Sequence, residues 1–285
     1  MTIIWGGLAL GAVYALVAIG YNIVFISSKT FNFAQAQLMM VGTFVAYTGL
    51  VTLRLPVAVV VLLATAAVML VAAVEERLAV RPVEDPETVL VTTLGAGVLI
   101  NGLTQVVWGG QPLAVPFFGG DGVLELLGGR VYPVEIALVV VAVVLVVLFG
   151  WFARRSVTGL TLLAMAEDRE AAMLRGVDVR RLAFGAFAAS GALAGLLGVF
   201  VGPKTFAVAT LGASLALKGF VVMAIGGFGS MPGTLVGGLV VGLAEALAAR
   251  HLGSEFAAIS VFAVLIAILL VRPSGLFVRT RERLV

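Results

Sequence analysis

The chain holds 285 residues, of which 61% are hydrophobic and 12% charged, with a mean hydropathy of +1.17. A soluble domain carries about twice that charged share, and so few polar residues cannot cover a water-facing surface, which excludes a soluble fold and makes this an integral membrane protein. The absence of cysteine excludes disulfides and thiolate-held metals, the single His251 argues against a histidine metal or acid–base site, and a net charge of +3 without a basic, aromatic-interleaved patch argues against nucleic acid.

In chain order, mostly apolar segments run at about 4–26, 34–52, 57–74, 88–108, 133–152, 181–202, 206–225, 234–249 and 256–271, near the length a helix needs to cross a bilayer. The first lacks the basic flank of a cleaved signal and reads as a span. Three are weak: 34–52 opens on amides, 206–225 contains Lys218, and 234–249 is short and contains Glu245. The expectation is an all-α, polytopic transmembrane bundle of eight or nine spans, with broken or re-entrant helices among the weak ones. It forms one unit over residues 1–285, with an external loop at about 109–132 and a cytoplasmic loop at about 153–181. Within the external loop, the short apolar strip from Val123 to Leu127 is expected to lie along the surface.

Charge orients the bundle. With the N-terminus outside, thirteen Lys and Arg residues fall in 27–33, 75–87, 153–180 and the tail from Arg272, counting Arg181 at the membrane edge. Only Arg54, Arg130, Lys204 and Arg250 fall on the other side. That bias predicts an external N-terminus and a cytoplasmic C-terminus.

Polar residues at the mouths of apolar segments are the candidate solute contacts. In FNFAQAQLMMVG (31–42), Asn32, Gln35 and Gln37 are amides that hydrocarbon does not tolerate unpaired, so they face protein, water or solute. Asn32 is placed to cap the helix starting near Ala34. Gln35 and Gln37 are two residues apart and do not share a helix face, so one at most points into a pathway. In the second half, IGGFGSMPG (225–233) holds Gly226, Gly227, Gly229 and Ser230. It is either a helix break whose bare backbone groups hold a polar solute or a tight turn between spans. Asn22, Asn101 and Gln105 either line a cavity or bridge helices, bridging being the default. Glu245 snorkels or pairs with Lys218 or Arg250, and small-residue spacings such as Gly7/Gly11 and Gly191/Gly195 let helix backbones approach closely.

The stretch AEDREAAMLRGVDV (166–179) reads as a short amphipathic helix from Glu167 to Arg175, with Gly176 ending it. The acids Glu167, Asp168 and Glu170 lie in its first turn and Arg175 in its last, as the helix dipole favours. Ala171 and Ala172 beside Met173 and Leu174 offer a face for another protein's groove, or the helix simply joins two spans.

These segments together carry a resemblance. The acid–Ala–Ala core followed by glycine resembles the coupling loop of ABC-transporter permeases. The whole chain resembles the LivH-type permease of branched-chain amino acid importers, through GLALGAVYALVAIGYNIVF, the Asn32-Phe33-Ala34 segment, the 166–179 loop, KGFVVMAIGGFGSMPGTLVGGLVVGLAE (218–245) and LLVRPSGLF (269–277). The family usually continues Asn-Phe-Ala with histidine, glycine and a small or acidic residue. Here Gln35, Ala36 and Gln37 keep hydrogen-bonding capacity but lose the ionisable ring and the flexible backbone point.

The resemblance implies a non-enzymatic permease subunit in a bacterial inner membrane. It would form half of a pathway for branched-chain or hydrophobic amino acids, or for a related solute such as urea or a short amide. The implied partners are a homologous, LivM-like second permease, two cytoplasmic ABC ATPases that use ATP and Mg, and an external substrate-binding protein. The chain itself contains no GxxxxGK[ST] phosphate loop and is expected to bind no cofactor and no metal. The alternative is a secondary, ion-coupled transporter, for which the in-span charges Glu245 and Lys218 are sparse. An intramembrane enzyme would have only Ser214 and Lys218 at helical spacing to build on.

Overall fold

A computed structural model describes residues 1–83, 85–120, 122–126 and 128–277; the expected tail arginines Arg279, Arg281 and Arg283 lie outside them. The helices are α1 (Thr2–Ser28), α2 (Gln35–Tyr47), α3 (Val57–Glu75), α4 (Pro86–Trp108), α5 (Pro133–Arg155), α6 (Val157–Glu167), α7 (Arg169–Leu174), α8 (Val179–Thr205), α9 (Leu211–Gly226), α10 (Met231–His251) and α11 (Glu255–Val271). Single π-helical turns extend α2 over 48–52 and α3 over 76–80. Among the described residues six helices are long and apolar enough to cross a membrane: α1, α3 with its π turn, α4, α5, α8 and α10. The helices α9 and α11 are shorter, and α2 needs its π turn to approach that length.

Burial follows the sequence of each helix. The helix α1 is apolar on every side and occupies the centre, packed against α10, α9, α8 and α5. Outer helices bury one narrow stripe: Val60, Ala64, Val68 and Ala72 on α3, and Leu138, Ala142 and Val146 on α5. Their other faces expose Leu62, Val98, Val106, Val147 and Leu270 to the hydrocarbon that surrounds them. Close approach is built from glycine. A Cβ on Gly11 of α1 would sit 2.9 Å from Leu239 Cα of α10, so the two backbones touch there. Gly191 and Gly195 of α8 meet Ala72 and Ala64 of α3 in the same way.

Contacts fix which helix ends lie together. Lys204 at the end of α8 pairs with Glu135 at the start of α5, and Leu113 bridges Ala207. At the opposite end, Arg169 donates to Ser28 O at 3.5 Å, and Thr92 donates to Ala79 O at 2.6 Å. The described basic residues of the four segments predicted to be cytoplasmic gather at this second end. Three expectations need correction. The strip at 123–127 is exposed over 123–126 but is not a lone segment: Leu124–Leu126 pairs antiparallel with Gly129–Val131, and Leu127 is outside the described residues. The segment 206–225 begins its helix only at Leu211, because Phe206 has φ 62° and 207 joins the bridge to Leu113. Glu75 and Glu76 do not belong to a solvated loop, since the π turn carries α3 past both and buries them.

Candidate functional site

The two motif segments meet at the basic end of the bundle. Phe31 and Phe33, flanking Asn32, pack on Phe220 of α9 with centroids 5.7 Å away, and Phe31 lies 5.5 Å from Phe228 in the glycine-rich turn. Phe25 of α1 stacks on Phe31 at 5.0 Å. Asn22, fully buried on α1, donates its amide to Thr234 of α10 and accepts from the Gly229 N–H at 2.8 Å. It bridges helices and fixes the turn.

Residues 227–230 form that turn, with Gly227 at φ 96° and Gly229 at φ 82°, a region that favours glycine. Ser230 caps α10 by accepting the Gly233 N–H at 3.1 Å. The carbonyls of Ile225 and Gly226 accept from Leu276 and Phe277 at 2.9 and 3.3 Å. Gly226 touches Gly233, leaving no room for a side chain. The polar backbone groups that a broken helix would offer to a solute are here taken up by protein.

The three amides have separate surroundings. Asn32 does not cap α2: it lies two residues before the cap position, Ala34, and shapes the turn there by accepting the Ala34 N–H at 2.8 Å. Its Nδ2 faces Glu75 without closing a hydrogen bond. Gln35 is consumed by α8: it accepts from the Ser190 hydroxyl at 2.9 Å and donates to Ser190 O at 3.3 Å. Gln37 is half-buried between Gly97 of α4 and Gly212 of α9, and its Oε1 has no partner among the described residues. Nearby, Asn101 of α4 donates to Ala209 O and accepts from Gln105. A polar edge thus runs along α2, α4 and α9, with Gln105 and Ser214 exposed on it.

Lys218 and Glu245 form a largely buried pair. Lys218 donates to Glu245 Oε1 at 2.6 Å and to the Tyr14 hydroxyl at 2.8 Å, and that hydroxyl donates to Glu245 Oε2 at 2.8 Å. Lys218 therefore turns to α1 and α10 rather than to Ser214.

The loop helix divides in two. Asp168 ends α6 and caps α7 by accepting the Ala171 N–H at 2.9 Å, so Glu167 closes one helix and Glu170 opens the next. A carboxylate at this position stabilises a new helix start better than it continues the old one, which is why the expected single helix from 167 to 175 breaks. Gly176 follows with φ 82°, in the terminating position expected. Ala172 packs with Met165 and Val179 in a small core of its own. Met173, Leu174 and Arg175 remain exposed on the outer side, and Ala171 is half-buried.

Sequence reasoning missed Glu75, Glu76 and Ser190. Glu76 receives Arg81 at 3.4 Å, while both Glu75 oxygens are buried without a hydrogen-bond partner among the described residues. The signal was present: the four-residue stripe Val60–Ala64–Val68–Ala72 leads straight to positions 75 and 76 on the buried face. Among the described residues no group of three or more His, Cys, Asp or Glu is arranged to hold a metal.

A family model described as branched-chain amino acid transport system / permease component matches residues 3–271. The high-affinity branched-chain amino acid transport system permease protein LivH of Escherichia coli is 29% identical over 291 residues, covering 96% of this chain and 94% of LivH. The corresponding BraD of Pseudomonas aeruginosa is 29% identical over 288 residues, with 96% and 94% covered. A probable branched-chain amino acid permease, LivH of Methanocaldococcus jannaschii, is 26% identical over 303 residues, with 96% and 91% covered. No solved structure matches at a significant level.

Proposed function

Because the chain belongs to the branched-chain amino acid transport permease family, we propose that it is one half of the membrane pathway of an ATP-driven importer. Its cargo is a branched-chain or other hydrophobic amino acid, or a related small amino-acid-like solute. The observation that carries this reading is the unbroken match over residues 3–271 to a transport permease. The pathway runs along the polar edge of α2, α4 and α9, where a second, homologous permease closes it. Of the candidate amides, Gln37 is the one assigned to it, since its oxygen is buried beside that edge with no partner among the described residues, whereas Gln35 and Asn22 hold helices together.

Nine helices cross the bilayer in this reading, with α2, α9 and α11 as the short ones, in a bacterial inner membrane. The N-terminus is external and the C-terminus cytoplasmic, in line with the gathering of basic residues at one end. There α7 serves as the coupling helix, presenting Met173 and Leu174 to one of two ATPases, which supply ATP hydrolysis in trans. ATP-driven closure draws the α6–α7 segments together and biases the bundle between two states. An external binding protein delivers the solute.

The test is uptake of radiolabelled leucine by proteoliposomes holding this chain with its co-purified subunits. Uptake that needs both internal ATP and the binding protein is the expected result. Uptake by the isolated chain on an ion gradient alone overturns the reading in favour of an ion-coupled transporter.

A further inference from the structure

A cavity of about 700 Å³ opens at the basic end of the bundle, between α5 and α6 on one side and α8 on the other. Its size is that of small-molecule sites. The two long walls are built alike. Arg181, Gly185 and Ala189 recur every fourth residue down one face of α8, and on α5 the pairs Phe149/Ala153 and Gly150/Arg154 are each four apart. Each wall thus carries an arginine at its outer end and small or apolar residues deeper. From Arg181 to Ala189 the slot runs about 12 Å along the helix. It is open space, since a Cβ added at Gly150 or Gly185 would meet nothing within 4 Å.

The chemistry is one-sided. No acidic residue lines the cavity, and Arg154 has no partner among the described residues. Arg181 gives its Nε to Asp178 at 2.9 Å, and its terminal nitrogens remain unpaired among the described residues. Two guanidinium groups at the mouth of an apolar slot match a phosphate ester attached to a hydrocarbon chain. A purely apolar helix would leave both guanidinium groups unmet. The tail after Phe277 carries Arg279, Arg281 and Arg283 against one Glu282, the wrong sign to neutralise them.

From this we infer that the groove is a binding site for one anionic phospholipid. The phosphate lies between Arg154 and Arg181, and an acyl chain runs past Gly185, Ala186 and Gly150. The inference needs the chain to be membrane-embedded but is independent of the cargo. Ile23 and Ile26 of α1, residues 229–232 and Phe277 close the cavity on its inner side, and because Thr158, Gly159 and Leu162 of α6 line it as well, a bound lipid braces the segment that leads into α7.

The experiment is native mass spectrometry of the purified full assembly, titrated with phosphatidylglycerol, phosphatidylcholine and inorganic phosphate. Phosphatidylglycerol is expected to bind one per copy of this chain, phosphatidylcholine far more weakly, and inorganic phosphate not to displace it. Arg154→Gln with Arg181→Gln is expected to weaken phosphatidylglycerol about twentyfold. Gly185→Leu, which fills the slot without touching a charge, removes binding while leaving the thermal midpoint unchanged. Equal binding of both lipids, competition by inorganic phosphate, or unaltered binding in Gly185→Leu overturns the site. A gain of lipid on deleting residues 278–285 makes the tail the native occupant and overturns it as well.

Discussion

Lys218 on α9 and Glu245 on α10 pair at 2.6 Å inside a nearly uncharged bundle, and Tyr14 of α1 hydrogen-bonds to both. Three helices are thereby tied at one point, near the close contact of α1 with α10. Lys218→Met leaves Glu245 buried with a tyrosine as its only partner. Removing one member of a buried pair costs about 3–5 kcal/mol, and the partial exposure of Lys218 places this case at the lower end. Replacing both by Met removes the stranded charge and recovers most of the loss. Thermal midpoints of the purified protein in one detergent check this: a double variant less stable than Lys218→Met contradicts it.

The α1–α10 contact predicts a contrast between two glycines. A Cβ at Gly242 strikes the α1 backbone at Gly11, whereas a Cβ at Gly102 of α4 meets nothing within 4 Å. Gly242→Ala forces the helices apart and costs about 1–3 kcal/mol. Gly102→Ala stabilises its helix by up to about 1 kcal/mol. Opposite shifts in the denaturation midpoint are the expected readout, and equal shifts contradict the packing described.

At the loop, Leu174 is 90% exposed and touches little of its own chain. Leu174→Asp is expected to change folding stability by no more than about 0.5 kcal/mol. As a docking residue, the same change weakens association with the partner ATPase about tenfold or more. Met165→Asp, in the small core behind α7, should instead unfold the segment locally. A binding titration with each variant separates the two, and unchanged ATPase affinity in Leu174→Asp removes α7 from the interface.

The helical segments and their order were legible because apolar runs of this length have one stable form in a bilayer. So was the segregation of basic residues to one end. Helix ends were less legible: Pro232 lies inside the first turn of α10, where proline is tolerated, so that helix starts at Met231 and not at 234. Least legible were partners distant in sequence. Nothing near Gln35 announces Ser190, 155 residues away, and nothing near Asn22 announces Thr234. Local spacing does not separate such amides, and only tertiary packing sets Gln37, whose buried oxygen has no partner among the described residues, apart from the two that brace helices.

Asp85 caps α4, accepting both the hydroxyl and the N–H of Thr88 at 2.7 and 2.9 Å. The Thr88 hydroxyl, and then its N–H, hold the carboxyl below the usual carboxylate value. A group with a depressed folded pKa contributes stability above its unfolded pKa and loses it as pH falls through the folded value. The start of α4 is therefore firm at neutral pH and frays below the ordinary carboxylate range. Amide exchange at Thr88, corrected for the intrinsic rate, should quicken in acid in the native chain. In Asp85→Asn, whose cap does not titrate, it should show no such step.

Glu75 is 5% exposed, and among the described residues neither of its oxygens closes a hydrogen bond, while the Nδ2 of buried Asn32 faces it. A charge there has no compensation, while a neutral amide of the same shape accepts from Asn32 and brings no charge into the bundle. Leaving a buried polar group unsatisfied costs about 1–3 kcal/mol, so Glu75→Gln should raise stability by roughly 1 kcal/mol. Glu75→Ala opens a hole beside Asn32 and should lower it. The thermal midpoints of the two variants test the sign. A fall with Glu75→Gln comparable to that of Glu75→Ala means that the carboxylate is held by a charge-dependent partner, and the junction of α3 with the Asn32 turn must then be read as an ionic contact.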